Sequence, residues 1–89
     1  MWVKTQTGDL VNLALALSVT VEHEENGFLV RASYAGDQEC YLITTATDAQ
    51  AEKVLGALSD GLAGSSRMMS MQPWAMKFEQ DAGAEGGAA

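Results

Sequence analysis

This chain of 89 residues has few of the residue types that usually take part in catalysis or in disulfides, and it has little sign of a targeting segment. It has one cysteine, one histidine and one proline. A single cysteine excludes a disulfide framework within the chain. No apolar run approaches the roughly 20 residues that a transmembrane helix needs, and the first residues lack the basic start and apolar stretch of a signal peptide. We therefore expect one small, soluble, cytoplasmic domain at most.

Basic residues are also few. Five Lys and Arg stand against twelve Asp and Glu, which gives a formal net charge of -7. Nucleic acids and anionic membranes carry charge of the same sign and would repel such a chain. The sequence therefore predicts neither a nucleic acid nor a membrane as partner. Hydrophobic residues nevertheless make up 47% of the chain, which is ordinary for a folded protein.

The composition changes near residue 63. Residues 1–63 contain the regular hydrophobic patterns, and we interpret them as a sheet-plus-helix domain. Residues 64–89 are rich in Gly and Ala, and their last stretch cannot bury enough apolar surface to offset the entropy of ordering it. The sequence predicts a mostly disordered, flexible tail over 64–89, containing a Met/Trp segment at 67–78.

The first half of the domain predicts short strands. Residues 2–5 and 10–13 are β-prone runs on either side of a turn with Gly8. Apolar and polar residues then alternate over 15–21, the period of a half-buried strand. Residues 13–17 also fit a helix, so the start of this strand is open.

Two further strands and a helix complete the domain. Asn26-Gly27 is a strong hairpin signal, because a type I′ turn needs positive φ at both central residues. Strands follow over 28–34 and 40–45, with strict alternation. Thr47 and Gln50 fit a helical capping box. The apolar stripe of the helix consists of Ala51, Val54, Leu55, Leu58 and Leu62.

These elements predict an α+β fold. It is an antiparallel sheet of four to five strands with one C-terminal helix packed on one face, followed by the flexible tail. A single helix leaves the other sheet face uncovered, and a core of this size is marginal alone. Self-association through that face or through an edge strand is one outcome, and a solvated face is the other.

The chain resembles a group of small bacterial proteins with no known activity. The resemblance lies in Trp2-Val3-Lys4-Thr5, in Gly8-Asp9-Leu10-Val11-Asn12-Leu13 and in the helix that contains Ala51-Glu52-Lys53-Val54-Leu55. These proteins are short chains with a strand–turn motif of this type and a C-terminal helix, several of them structural-genomics targets. The resemblance implies a fold over residues 1–62. It implies no activity, cofactor or catalytic residue.

No residue pattern predicts catalysis. His23 lies among glutamates before a turn, where exposure is expected, and Cys40 has no basic neighbour to activate a thiolate. The acidic groups around Glu22 and Glu39 lack the ligand spacing of a calcium loop, so we interpret them as a solvated rim. The sequence predicts no catalytic, cofactor-binding or metal-binding residue, and we expect no enzyme.

The Met/Trp segment at 67–78 is the most informative part of the tail, since disordered chain is usually poor in such side chains. Methionine adapts to irregular grooves and tryptophan often anchors interfaces. Either the segment covers the sheet of its own or a partner subunit, or it is a linear motif that orders on binding another protein. The predicted partner-binding residues are Met68, Met69, Met71, Trp74, Met76 and Phe78.

The function predicted from these features is a non-catalytic protein-interaction or self-associating module, whose partner is a protein or a second copy. The alternative is a small-ligand or effector-binding domain with a pocket between sheet and helix. The residues expected to line that pocket are Val19, Val21, Val30, Leu42, Val54 and Leu58.

Overall fold

The computed structural model describes residues 1–64 and 67–79. This part of the chain has an α+β architecture of two three-stranded sheets and two helices. The elements are β1 (Trp2–Lys4), β2 (Leu10–Asn12), β3 (Ser18–Glu24), β4 (Gly27–Tyr34), β5 (Gln38–Thr45), α1 (Asp48–Ala63), β6 (Met68–Ser70) and α2 (72–79), with 3-10 turns at Leu13–Leu15 and Ala35–Asp37.

The longer sheet has the order β3-β4-β5 and is antiparallel throughout. A hairpin joins β3 and β4 as predicted, but its loop lies one residue earlier than expected, and Asn26 does not have the positive φ of the predicted type I′ turn. Glu24 pairs with Gly27, so Glu25 and Asn26 form the loop. Gly27 has φ 149° and starts β4. A Cβ there would overlap the Thr45 carbonyl oxygen, so the glycine is required by this close approach.

A β-bulge interrupts the second ladder of this sheet. Val30 pairs with Ile43 whereas Arg31 pairs with Tyr41, which leaves Leu42 as an extra residue. Leu42 and Ile43 are both buried, although strict alternation had placed them on opposite faces. The expectation of strict alternation over 40–45 is therefore wrong at the bulge.

The chain before β3 is not extended. Leu13–Leu15 forms a 3-10 turn, and the Asn12 side chain caps it by accepting a hydrogen bond from the Ala14 N–H at 3.1 Å. Strand β3 begins only at Ser18, so Leu15 and Leu17 leave the alternating pattern and are exposed. The turn is the physical reason that the apolar face predicted for residues 15–21 does not start at residue 15.

The shorter sheet has the order β2-β1-β6, with three residues in each strand. Strand β1 is central, antiparallel to β2 and parallel to β6. The prediction of one sheet of four to five strands with one helix is therefore wrong. A parallel neighbour needs a long crossover, and here everything from β2 to α1 separates the two strands.

Helix α1 lies against both sheets. Its capping box is confirmed: the Thr47 hydroxyl accepts from the Gln50 N–H at 3.2 Å, and the Gln50 side chain accepts from the Thr47 N–H at 3.2 Å. Of the predicted stripe, Ala51, Val54 and Leu58 are buried in the core beside β3, β4 and β5. Leu55 is only partly buried and Leu62 is 47% exposed, so the prediction is wrong for Leu62. At the other end of the helix, a Cβ on Gly61 would lie 2.9 Å from Met1 Sδ and 3.2 Å from Met69 Cε. The missing side chain lets α1 approach the shorter sheet closely.

Helix α2 follows β6 directly and was not predicted. The Ala75 N–H donates to the Met71 carbonyl at 3.0 Å, so Pro73 falls in the first turn, where its missing N–H costs nothing. Residues 65–66 and 80–89 lie outside the described part. The disorder predicted for the tail stays a prediction for these residues, whereas residues 67–79 contain β6 and α2. The boundary at residue 63 also stays a prediction.

Candidate interaction surfaces

The Met/Trp segment is built into the fold over its described length. Met71 is fully buried and Phe78 almost so, while Met69 and Trp74 pack partly buried against the same core. Met68 and Met76 are exposed. The structure therefore divides the six predicted partner-binding residues into core and surface, and their binding role stays a prediction.

Backbone hydrogen bonds hold this segment to β1. The Trp2 N–H donates to the Arg67 carbonyl at 2.8 Å, and the Met71 N–H donates to the Lys4 carbonyl at 2.8 Å. Within α2 the rings of Trp74 and Phe78 lie 5.9 Å apart with an interplanar angle of 47°. The segment thus adds a strand and a helix to its own subunit.

One side of the shorter sheet is not covered by any other element of residues 1–64 and 67–79, and we refer to it as the apolar face. It is formed by alternate residues of the three strands, whose neighbours Val3 and Met69 point to the interior. The apolar face consists of Trp2, Lys4, Leu10, Asn12, Met68 and Ser70. Register places Trp2 directly beside Met68, and Leu10 opposite Lys4.

The large side chains of the apolar face are exposed. Trp2, Leu10 and Met68 retain 50%, 58% and 54% of their accessible surface. Lys4 is the only charged member, and the face has no carboxylate. Sequence reasoning singled out Met68 but missed Leu10. Leu10 reaches this face through the β1–β2 pairing, and Met68 through the β1–β6 pairing.

A second exposed apolar region lies between α1 and the chain that enters β3. It is a groove of about 400 Å³ whose walls include Leu17, Leu55 and Leu62. Leu17 is 73% exposed. This groove lies beside the longer sheet, and none of its residues belongs to the apolar face.

A third feature is a cleft at the β3–β4 hairpin, which we refer to as the hairpin cleft. It has a volume of about 400 Å³ and is enclosed by the hairpin, the start of α1 and α2. Its walls include Phe28 and Phe78, the carboxylates Glu24 and Glu79, and the Gln50 amide. No sequence motif pointed to it, since its residues come from four separate stretches of chain.

The residues predicted to line a pocket between sheet and helix form the core instead. Val30, Leu42, Val54 and Leu58 are at most 1% exposed and belong to one buried cluster. Val19 and Val21 pack against that cluster. A ligand would therefore have to use a surface cleft, and the ligand-binding alternative stays a prediction.

The residues considered for catalysis are far apart. His23 stacks on Phe28 with ring centroids 4.7 Å apart, at the hairpin end of the longer sheet. Cys40 pairs with Ala32, four residues further along β4, which corresponds to about 13 Å along the strand. Burial, and secondarily the charge of Asp9, raise the pKa of the Cys40 thiol. That shift keeps sulfur in the protonated, weakly nucleophilic form.

Tyr34 lies close to Cys40 in the same environment. Burial, and secondarily the charge of Cys40, raise the pKa of the Tyr34 hydroxyl. Its oxygen is buried without a hydrogen-bond partner among the residues that the structure describes. Because both pKa values are raised, the Tyr34 hydroxyl and the Cys40 thiol both stay protonated and neutral, and neither acts as a base.

The acidic rim pairs in part with a base. Arg31 Nη1 lies 2.8 Å from a Glu22 carboxylate oxygen and 3.4 Å from one of Glu39.

Within residues 1–64 and 67–79, no group of three or more His, Cys, Asp or Glu is placed to hold a metal ion. No helix in these ranges has the length and apolarity to cross a bilayer.

Comparison with protein-family models, with curated proteins and with solved structures finds no match for this chain. Function is therefore inferred from the geometry of the chain itself.

Proposed function

We propose that this protein is a non-catalytic self-associating module that pairs with a second copy through the apolar face. The observation that supports the proposal is the exposure of Trp2, Leu10 and Met68 on the one side of the shorter sheet that no described residue covers. Trp2 lies beside Met68 and diagonal to Leu10, which pairs with Lys4. Tryptophan and methionine are enriched at the centres of protein interfaces, and exposed large apolar side chains grouped on one face are typical of a contact between proteins.

The size of the shorter sheet supports the same proposal. Its strands have only three residues each, so the sheet depends on packing against other parts of the fold. The inner side already packs on the core through Val3. A second copy on the outer side would complete the sandwich and bury the aromatic ring.

Charge favours a second copy on this face over a contact elsewhere. Each subunit has a net charge of -7, so two subunits repel each other, and the repulsion is smallest where the contact surface has no carboxylates. The apolar face has no carboxylate. A two-fold interface uses the same patch on both subunits, and pairing here keeps the acidic residues on the outside.

The proposal includes binding without catalysis. It is supported by the protonated state favoured for Cys40 and by the separation between Cys40 and His23. We further propose a cytoplasmic protein whose partner is protein and not nucleic acid or membrane, because of its acidic charge.

The test is the mass of the full chain in solution. We expect a dimer by light scattering, and expect Trp2→Ala to weaken it by about 30-fold in Kd, corresponding to about 2 kcal/mol at an interface hot spot. Leu10→Lys, which puts a second cation beside Lys4, should have an effect of at least that size.

The matched control is Tyr41→Ala. Tyr41 is an aromatic residue of similar exposure, 62%, but lies on β5 in the longer sheet. Its removal should leave the dimer unchanged. A monomeric full chain, or equal loss in Trp2→Ala and Tyr41→Ala, would contradict the proposal. Dimer loss caused by Leu17→Ser would instead assign the contact to the groove beside α1.

A further inference from the structure

The hairpin cleft combines apolar walls with negative charge. Phe28 contributes aromatic surface, Phe78 adds the 8% of its surface that stays exposed, and Ala75 adds a small apolar residue from α2. The volume of about 400 Å³ lies within the range of sites that bind small organic molecules. The cleft is open to solvent and is distinct from the apolar face in every residue.

The two carboxylates of the cleft are not neutralised. Within the described chain, neither Glu24 nor Glu79 forms an ion pair, whereas Glu22 and Glu39 both pair with Arg31. No lysine or arginine is among the residues that line the cleft. A cation entering it would meet two unpaired carboxylates and no repelling charge.

The amides and the hairpin fix the shape of the cleft. The Gln50 side-chain oxygen already accepts from the Ala46 N–H at 2.9 Å, so its position is set by the capping box. The Gln6 oxygen accepts from the Thr44 N–H at 2.9 Å. Phe28 is held by its stack on His23. The walls are thus restrained before a ligand arrives, which lowers the entropy cost of binding.

We propose that the hairpin cleft binds a small organic cation, an amine with an aromatic or aliphatic body. The ammonium group is recognised by Glu24 and Glu79, and the apolar body packs against Phe28 and Phe78. Ammonium groups are attracted to carboxylates and to aromatic faces alike. This site is independent of self-association, because it shares no residue with the apolar face.

Three probes of similar size separate charge from shape. Backbone amide NMR shifts of the full chain are followed during titration with 2-phenylethylamine, 2-phenylethanol and phenylacetate. We expect the amine to bind with a Kd of about 1 mM or tighter and to shift the amides of Gly27, Phe28 and Ala75. The alcohol should bind at least about tenfold more weakly, and phenylacetate should produce no shifts.

Charge variants assign the contact. Glu24→Gln and Glu79→Gln should each weaken amine binding by about two- to fivefold, and the double variant by more. Glu52→Gln is the matched control, since it removes the same charge from an exposed position of α1 outside the cleft. Trp2→Ala should leave amine binding unchanged, so failure of self-association and failure of this site give different results.

Four outcomes would overturn the proposal. They are equal binding of amine and alcohol, absence of shifts with the amine, shifts confined to residues outside the cleft, and equal losses in Glu24→Gln and Glu52→Gln. The last result would show that the amine responds to the overall acidic charge and not to this cleft.

Discussion

The two sheets of this molecule differ in how their strands find each other. The longer sheet joins consecutive strands through a hairpin loop and a 3-10 turn. The shorter sheet joins β1 to β6, so that Trp2 pairs with Met68. Pairing of strands that are close in sequence closes a short loop and costs little chain entropy. Pairing of distant segments closes a long loop, and its larger entropy cost must be overcome before any contact forms. The longer sheet therefore depends on its turns, and the shorter one on the packing of its inner side.

The largest expected effect comes from removing that packing. Met71 follows β6, is fully buried, and belongs to the core. We expect Met71→Ala to lower the free energy of unfolding by about 2–5 kcal/mol, because it leaves a cavity. Native-state hydrogen exchange should show protection lost in β1 and β6 before β3, β4 and β5.

Met76→Ala is the control for this prediction. It removes the same side chain from a position in α2 that is 60% exposed, and we expect a change within about 0.5 kcal/mol. If Met71→Ala lowers protection in both sheets equally, the sheets unfold as one unit and the contrast between them does not extend to stability.

The dependence of the longer sheet on its turns is tested at Gly27. We expect Gly27→Ala to cost about 2–4 kcal/mol, since it combines an unfavourable φ with overlap against the Thr45 carbonyl. Gly36→Ala is the matched comparison. Gly36 also has positive φ, 75°, but a Cβ there meets nothing within 4 Å, so about 1–2 kcal/mol is expected. Thermal unfolding of both variants measures the difference, and equal costs would exclude the close approach as the cause.

The smallest effect concerns Cys40, where the longer sheet lies near the turn before β2. Burial first, and then Asp9, raise the Cys40 pKa in the folded state. The contribution of Cys40 to the free energy of unfolding is therefore fully present below the pKa that this thiol has in the unfolded chain. It is lost as the pH rises through the higher pKa of the folded state. Alkylation by iodoacetamide should show a higher midpoint pH in native protein than in urea.

Asp9→Asn should lower that midpoint only part of the way, because burial is the larger cause. Asp37→Asn removes the same charge at a residue that is not among the causes of the shift, and should leave the midpoint unchanged. A native midpoint equal to the one in urea would contradict the shift.

The sequence allowed prediction of those features that neighbouring residues determine. Thr47 and Gln50 form the expected capping box, and a hairpin joins β3 and β4 as expected, although its loop is Glu25-Asn26 and not Asn26-Gly27. The bulge at Leu42 could not be foreseen, because alternation gives no signal for an inserted residue. The partner of β1 could not be foreseen either, since no local pattern links Trp2 to Met68.

The second helix did leave a signal. Met71, Trp74, Ala75 and Phe78 have the three- and four-residue spacing of an apolar helical stripe, and Pro73 suits a first turn. The tail composition outweighed that pattern in the sequence interpretation. Met68, one residue of the apolar face, was predicted to bind a partner. The apolar face and the hairpin cleft themselves could not be predicted, because each is formed by chain segments that are distant in sequence.

The position of β1 has a consequence for synthesis of the protein. The ribosome makes a chain from its N-terminal side, so β1 emerges before the other strands that the structure describes and can pair with β2 as soon as β2 has emerged. Its other edge stays open until residues 68–70 have been made. During that interval β3, β4, β5 and α1 can fold from neighbouring residues. We therefore expect β1 to be among the last of the strands to reach its final pairing, although it is made before the others, and to leave an unprotected strand edge that a chaperone could bind.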